Sequence, residues 1–144
     1  MSYSVQKSFN FPYGHRLSKH KGLCKNIHGH NAKLDIKITS DELNENDMVI
    51  DFSDLKKIIG NQVNAFDHGF FVNSSDEKTR KAISEIQETN KIFHLKDCDP
   101  TSEVLTKWIY EMIDFMFKEM GYNKLRIEYV RLWESDGSMA EYRP

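Results

Sequence analysis

The sequence predicts an α+β fold in which two main helices cover one face of an antiparallel β-sheet. Near each end of the chain, two runs of residues alternate between apolar and polar side chains, as half-buried strands do. Between these pairs lie two stretches whose apolar residues recur at helical spacing. Strands joined as hairpins pair antiparallel and bury one face under helices. The chain therefore predicts a single domain, residues 1–144, with the order β-β-α, a polar insertion, then α-β-β.

The strands are predicted in two pairs. The first pair covers about 3–12, ended by the sequence Pro12-Tyr-Gly, and about 30–40. The second pair covers about 125–133 and 139–143, joined at Asp136-Gly137, a dipeptide typical of hairpin turns. The alternating apolar residues of the first pair are Val5, Phe9, Phe11, Ala32, Leu34, Ile36 and Ile38.

Two main helices are predicted between these pairs. The first follows a short extended segment, residues 48–52, with Asp51 or Ser53 as its cap. The second begins at Asp99-Pro100, where a capping carboxylate precedes a proline, and ends at Gly121. Their apolar faces comprise Leu55, Ile58, Ile59, Val63 and Phe66, then Val104, Leu105, Trp108, Ile109, Met112, Ile113 and Met116. The polar segment 74–96 predicts one short amphipathic helix around Ile83 and a short strand at 91–95.

Composition excludes several classes of protein. A net charge of −2 exerts no general attraction on nucleic acid or membranes. No apolar run approaches the roughly 18 residues of a membrane span, and the N-terminus lacks the apolar core of a signal peptide. Two cysteines make no disulfide framework, and Cys98 is interpreted as structural. These features predict a cytoplasmic protein without a nucleic-acid or membrane partner.

Three histidines form a candidate metal site. His28 and His30 are two residues apart at the start of a predicted strand, so their imidazoles lie on the same face. His15 follows the preceding strand and supplies a third imidazole. Three protein ligands with one open position are typical of catalytic zinc, although iron or nickel also accepts imidazoles. The alternative is that these are ordinary surface or core histidines.

Cys24 lies in a basic loop, residues 16–27, just before this motif. It could be a fourth ligand in a closed structural zinc site. It could instead be a base or nucleophile, because lysines and a nearby cation favour the thiolate. A third possibility is a small buried residue, which the basic surroundings disfavour. The loop itself could hold a phosphate-rich substrate, or it could simply be solvated.

Two further groups are candidates for chemistry. Asp67 and His68 follow the first helix, where the carboxylate could orient the imidazole or the pair could merely cap the helix. Glu134 ends an apolar strand, and such a residue alone is usually a solvated strand terminus.

Taken together, these residues resemble the family of 6-pyruvoyl-tetrahydropterin and 6-carboxytetrahydropterin synthases. The resemblance spans nearly the whole chain and depends on the ordered set rather than on one motif. It comprises Phe11-Pro-Tyr-Gly-His15-Arg-Leu17, Cys24 with His28-Gly-His30-Asn31, Met48-Val-Ile-Asp-Phe52 with Leu55-Lys56, Asp67-His68, Pro100-Thr101-Ser102-Glu103, Trp133-Glu134-Ser135 and Tyr142.

The resemblance implies a tunnelling fold, in which trimers close their strands into a barrel and two barrels stack as a homo-hexamer. It implies Zn²⁺ on His15, His28 and His30. It implies Cys24 as general base and Asp67 with His68, from a neighbouring subunit, as a proton relay. The implied pterin contacts are Glu134, which anchors the ring, and Thr101 and Ser102, which line its pocket.

The implied substrate is 7,8-dihydroneopterin triphosphate, and the implied product depends on the branch. The segment 49–52 and the Pro-Thr-Ser-Glu tetrad resemble the branch that makes 6-carboxy-5,6,7,8-tetrahydropterin, with release of triphosphate and acetaldehyde, toward queuosine. The other branch makes the 6-pyruvoyl product toward biopterin. A third branch, toward folate, usually carries glutamate in place of the cysteine, so Cys24 argues against it. The segment 74–96 is longer than in compact members.

Other functions stay open on the sequence alone. A structural zinc module would use Cys24 as a ligand and would lose both zinc and fold in a Cys24→Ala variant. A pterin-binding protein without turnover would release no triphosphate. A zinc hydrolase would need a carboxylate beside the metal motif, and none is obvious there.

Overall fold

The computed structural model describes all 144 residues and contains one six-stranded sheet and three α-helices. The strands are β1 (Tyr3–His15), β2 (His28–Ser40), β3 (Gly69–Asn73), β4 (Ile92–Leu95), β5 (Arg126–Ser135) and β6 (Ser138–Tyr142). The helices are α1 (Phe52–Phe66), α2 (Glu77–Ile86) and α3 (Ser102–Glu119). The strand order is β4-β3-β1-β2-β5-β6.

The two predicted hairpins form the antiparallel part of the sheet. β1 pairs with β2 over its whole length, from Tyr3 opposite Ser40 to His15 opposite His28. β5 then pairs antiparallel with both β2 and β6. Because β1 and β2 stay in register to their last residues, the histidines at their ends lie side by side.

The predicted antiparallel strands form only part of the sheet, because β3 and β4 join it in parallel. β3 pairs with the end of β1, and β4 pairs with β3. Parallel neighbours need a crossover, which α2 supplies between β3 and β4. β3 was not predicted from the sequence because its five residues are all buried and show no alternation of polar and apolar side chains. The sheet is therefore mixed.

Pro12 does not end β1, which continues to His15. The carbonyl of Pro12 accepts a hydrogen bond from the His68 N–H at 2.9 Å, so this side of Pro12 faces the chain that enters β3. The amide hydrogen that proline lacks would point to the same side, where parallel pairing begins only at Tyr13. The strand thus passes through Pro12 without losing a ladder hydrogen bond.

The two main helices cover one face of the sheet, as predicted. Apolar residues of α1 and α3 pack with the inward side chains of β1, β2 and β5 in one cluster of 22 buried residues. Asp51 caps α1 by accepting from the Ser53 N–H, and α1 begins at Phe52, so 48–52 forms no strand. None of the three helices has both the length and the apolar character that a membrane span needs.

The predicted cap of α3 is wrong by two residues. Thr101, not Asp99, caps this helix, and its hydroxyl accepts from the Val104 N–H at 3.2 Å. Asp99 is buried and instead accepts hydrogen bonds from the Ser18 hydroxyl, the Lys19 N–H and the Asn73 amide. The carboxylate thus joins the basic loop to the end of β3 and the approach to α3.

Candidate metal and pterin site

The three predicted ligands meet at the loop end of the β1–β2 hairpin. His15 pairs directly with His28 across the two strands, and His30 follows on the same face. The Nε2 atom of His15 lies 3.0 Å from Nε2 of His28 and 3.2 Å from Nε2 of His30. One ligand atom from each histidine can be chosen so that all three lie within 4.8 Å of one another.

Backbone carbonyls orient two of these imidazoles. Nδ1 of His15 lies 2.7 Å from the Pro100 carbonyl oxygen, and Nδ1 of His28 lies 2.7 Å from the Asn26 carbonyl oxygen. A carbonyl only accepts, so each Nδ1 carries the hydrogen and each Nε2 presents a lone pair. Lone pairs this close repel one another unless a cation lies between them.

The distances fit a small metal ion. Zinc–nitrogen bonds of 2.0–2.1 Å at tetrahedral angles place ligand nitrogens about 3.3 Å apart, close to the separations of the His15 Nε2 atom from its neighbours. Hydrogen bonds from the far ring nitrogen to carbonyls are the usual support of histidine ligands. The three histidines could therefore hold a metal ion.

His15 is the most buried of the three, with 1% of its surface exposed. Its pKa is lowered to about 4, chiefly by burial and also by the neighbouring His28 and His30, while the hydrogen bond to the Pro100 carbonyl acts in the opposite direction. His15 is consequently neutral near pH 7. The neutral imidazole is the form that binds a metal.

Glu134 lies in this site rather than at a solvated strand end. Its Oε1 atom is 3.8 Å from Nε2 of His30, and the Tyr13 hydroxyl donates to the same oxygen at 3.5 Å. Burial raises the pKa of Tyr13, and the charge of Glu134 raises it further, so the phenol stays protonated. A quarter of the Glu134 side chain is exposed, which leaves the carboxylate accessible to a ligand.

Cys24 is near the site but outside the cluster of ligand atoms. It lies in a single 3₁₀ turn, Leu23–Lys25, and its thiol is free and half-buried. The group of possible ligands contains only the three histidines. In this arrangement, Cys24 is therefore not a fourth ligand, and the interpretation as a closed structural site loses its support.

Asp67 and His68 contact one another through Oδ1 and Nδ1, so these sequence neighbours do not point apart. His68 has a φ of 59°, in the left-handed region that residues with a Cβ rarely adopt. Its side chain is 81% exposed beside a cleft of about 410 Å³ that His30 and Gln87 also line. Within one chain, neither side chain makes a hydrogen bond to Cys24. Unusual backbone conformations of this kind cluster at functional sites.

The other predicted pocket residues have structural contacts. Thr101 caps α3, and the Ser102 hydroxyl donates to Glu103 at 3.4 Å. Pro100, through its carbonyl, is the residue of this segment that touches the metal cluster. This contact could not be predicted from the sequence, because every residue type has a backbone carbonyl. Tyr13 was also missed, although its alternation with Phe11 and His15 places it on the same face.

Sequence comparisons relate this chain to known proteins over nearly its whole length. A model of the 6-pyruvoyl tetrahydropterin synthase family matches residues 4–144. A relative from Aquifex aeolicus, named 6-carboxy-5,6,7,8-tetrahydropterin synthase, is 31% identical over 161 residues, which is 99% of each chain. A relative of the same name from Haemophilus influenzae is 32% identical and covers 98% of this chain and 99% of its own.

Solved structures share the fold. The crystal structure of an uncharacterized protein from Wolinella succinogenes has a TM-score of 0.79 at 21% identity, covering 99% of this chain and 98% of its own. The 6-pyruvoyl tetrahydropterin synthase of Plasmodium falciparum has a TM-score of 0.72 at 20% identity over the same shares. The fold and the sequence matches thus define a pterin synthase. The chain belongs to the 6-pyruvoyl tetrahydropterin synthase family.

Proposed function

We propose that this protein is a zinc-dependent lyase that converts 7,8-dihydroneopterin triphosphate to 6-carboxy-5,6,7,8-tetrahydropterin, with release of triphosphate and acetaldehyde. The observation that carries the proposal is the convergence of three imidazole Nε2 atoms beside a carboxylate that is open to solvent. The names of the full-length relatives from two bacteria favour the 6-carboxy product. This reaction lies early on the route to queuosine.

His15, His28 and His30 would hold the zinc ion. When bound, Zn²⁺ supplies a Lewis acid that polarises the oxygens of the substrate side chain and acidifies the adjacent C–H bond. The protein's part is to keep the three imidazoles neutral and aimed at one point. Burial keeps His15 neutral, and the carbonyls of Pro100 and Asn26 aim two of the rings.

Cys24 is the general base that we assign to proton removal from the side chain. Its loop brings three lysines, Lys19, Lys21 and Lys25, and no acidic residue. This positive charge suits the triphosphate of the substrate. Asp67 and His68 form the proton relay, with the carboxylate orienting the imidazole.

Because His68 makes no hydrogen bond to Cys24 within one chain and its side chain is largely exposed, we assign the relay to a neighbouring subunit of a homo-hexamer. Glu134 anchors the pterin by accepting hydrogen bonds from its 2-amino group and ring N–H. Thr101 and Ser102 lie at the start of α3, beside the carbonyl that orients His15, and line the pocket of the ring.

The test is mass spectrometry of the products after incubation of the zinc-loaded protein with 7,8-dihydroneopterin triphosphate. We expect 6-carboxytetrahydropterin, acetaldehyde and triphosphate. A 6-pyruvoyl product without acetaldehyde would move the protein to the biopterin branch and leave the residue assignments standing. Absence of turnover with zinc bound would refute the enzymatic proposal for this substrate.

A Cys24→Ala variant separates the enzyme from a structural zinc module. We expect the variant to keep its zinc and its thermal midpoint and to lose turnover. Loss of zinc together with unfolding would instead identify Cys24 as a structural ligand. The matched control is Cys98→Ala, at the other half-buried free cysteine of the chain, which should retain activity.

A further inference from the structure

The segment 74–96 contacts the loop that carries Cys24, and the contact passes through Arg16. At the start of α2, Oδ2 of Asp76 accepts a hydrogen bond from Nη1 of Arg16 at 2.8 Å. The Thr79 hydroxyl accepts from the same nitrogen at 2.7 Å. Both acceptors are shielded from water, since the Asp76 side chain is 8% exposed and Thr79 is 4% exposed. A shielded, charge-assisted pair of this kind is held firmly.

The Nε side of the same guanidinium contacts the backbone next to Cys24. Nε of Arg16 donates to the Lys25 carbonyl at 2.7 Å. The N–H of the next residue, Leu17, donates to the Cys24 carbonyl at 3.0 Å. The carbonyls of Cys24 and Lys25 thus accept hydrogen bonds from Leu17 and Arg16, the two residues that follow β1.

We propose that Asp76 and Thr79 are positioning residues, which hold the Arg16 guanidinium so that it fixes the backbone at Cys24. The guanidinium is planar and rigid, so restraining its Nη1 end also restrains its Nε end. The insertion therefore serves the loop of the candidate base rather than only lengthening the chain. The catalytic consequence rests on the proposed function of Cys24, whereas the placement of the loop does not.

Asp76→Asn and Thr79→Val test the contact with little change of shape. Asparagine keeps the N-cap that Asp76 provides to α2, but it removes the charge that holds Arg16. Valine nearly keeps the volume of Thr79 and replaces its hydroxyl, which accepts from Arg16, by a methyl group. The matched control is Asp97→Asn, directly after this segment, since Asp97 accepts from the Ser74 and Ser75 hydroxyls and does not bond to Arg16. Its φ of 54° also suits asparagine.

The first readout is the rate at which iodoacetamide alkylates Cys24 relative to Cys98 in the zinc-loaded proteins, measured by peptide mass spectrometry. We expect Asp76→Asn and Thr79→Val to change this ratio about threefold or more, because local opening exposes the loop selectively. A general loss of stability would move both cysteines together. The ratio in Asp97→Asn should equal that of the unmodified protein.

The second readout is the steady-state release of triphosphate. We expect kcat to fall about tenfold with KM nearly unchanged, since misplacing a catalytic group affects the chemical step more than binding. An alkylation ratio that stays at the control value in both variants would overturn the inference; if Asp76→Asn does not fold, Thr79→Val decides. A changed ratio in a protein that has no turnover at all would support the positioning role and refute the proposed function.

Discussion

At the scale of single residues, the imidazole of His15 is the most constrained group of the site. It is buried, neutral and hydrogen-bonded to the Pro100 carbonyl through Nδ1, so the lone pair on Nε2 points in one fixed direction. The flanking Tyr13 lies edge-on to its ring at a centroid distance of 5.1 Å. A side chain held on all sides in this way suits a ligand that must keep its geometry through many turnovers.

We expect His15→Ala to weaken zinc binding by about 100-fold or more, because the loss of a ligand exceeds the 10–100-fold cost of losing a supporting contact. His20→Ala is the control, since His20 lies in the loop and its Nδ1 atom only accepts from the Gly22 N–H. Zinc content after dialysis against a graded chelator measures the effect. Equal zinc retention in both variants would contradict the three-histidine site.

Glu134→Gln should raise KM for the pterin substrate by about 10–100-fold, because an amide replaces one acceptor with a donor and hydrogen bonds to charged groups contribute about 1.5–3 kcal/mol. Zinc content should not change. The control is Glu141→Gln, whose carboxylate is paired with Arg131 and Arg143. Steady-state kinetics decide the outcome, and a normal KM in Glu134→Gln would exclude the carboxylate as the pterin anchor.

At the scale of elements, Asp99 shows how the loop, β3 and α3 are joined. Burial alone would raise its pKa, but hydrogen bonds from Ser18, Asn73 and the Lys19 N–H together hold the pKa below its ordinary value. The carboxylate is therefore a stronger acid in the folded chain than in the unfolded one. Its charged form stabilises the fold.

Asp99→Asn should lower the free energy of unfolding by about 1–3 kcal/mol at pH 7, since a buried network loses its negative charge and one of its two acceptor oxygens. Because the folded pKa is the lower one, this contribution is complete above the unfolded value of about 3.9 and disappears as the pH falls through the folded value. Urea unfolding at pH 7, 5 and 3 checks both points. The difference from the parent protein should be equal at pH 7 and 5 and smaller at pH 3.

Asp136→Asn, in the exposed β5–β6 turn, is the control for this series. It should leave the free energy of unfolding within about 0.5 kcal/mol of the parent. A gap between parent and Asp99→Asn that widens at pH 3 would contradict the assignment of a lowered pKa.

The elements differ in how well the sequence predicted them. Strands with one solvated face alternate between apolar and polar residues, and the apolar residues of the amphipathic helices α1 and α3 recur at helical spacing. Both patterns therefore predict their elements. β3 has no solvated face, and its apolar run carries no period. Thr101 caps α3 because Asp99 instead accepts hydrogen bonds from a loop about 80 residues away along the chain. A local sequence pattern cannot predict such a contact.

At the scale of the whole molecule, the candidate residues surround the end of the β1–β2 hairpin without forming one connected network. The histidines, Glu134 and the Cys24 loop lie at this end, and the largely exposed His68 side chain borders a cleft that His30 also lines. The sequence motif contains all these residues, but only the folded chain shows that His68 bonds to Asp67 and makes no hydrogen bond to Cys24. We propose that the proton relay between His68 and Cys24 forms between two copies of the protein.

Complementation tests this arrangement. Cys24→Ala and His68→Ala should each be inactive alone, whereas co-expressed chains should recover about a quarter of the parent activity, because random mixing in a symmetric oligomer leaves one interface in four with both native residues. Activity per assembly, with subunit ratios from mass spectrometry, measures the recovery. No recovery in mixed hexamers would place both residues in the same chain's site.

The three histidines come together only when the β1–β2 hairpin folds in its native register. A slip of one residue between the two strands would turn His28 and His30 to the opposite face from His15. A single cation bridging both strand ends would bind only the correctly aligned hairpin, and binding to the native state alone raises its share of the population. In this protein the cation would thus favour the native strand alignment before any substrate binds.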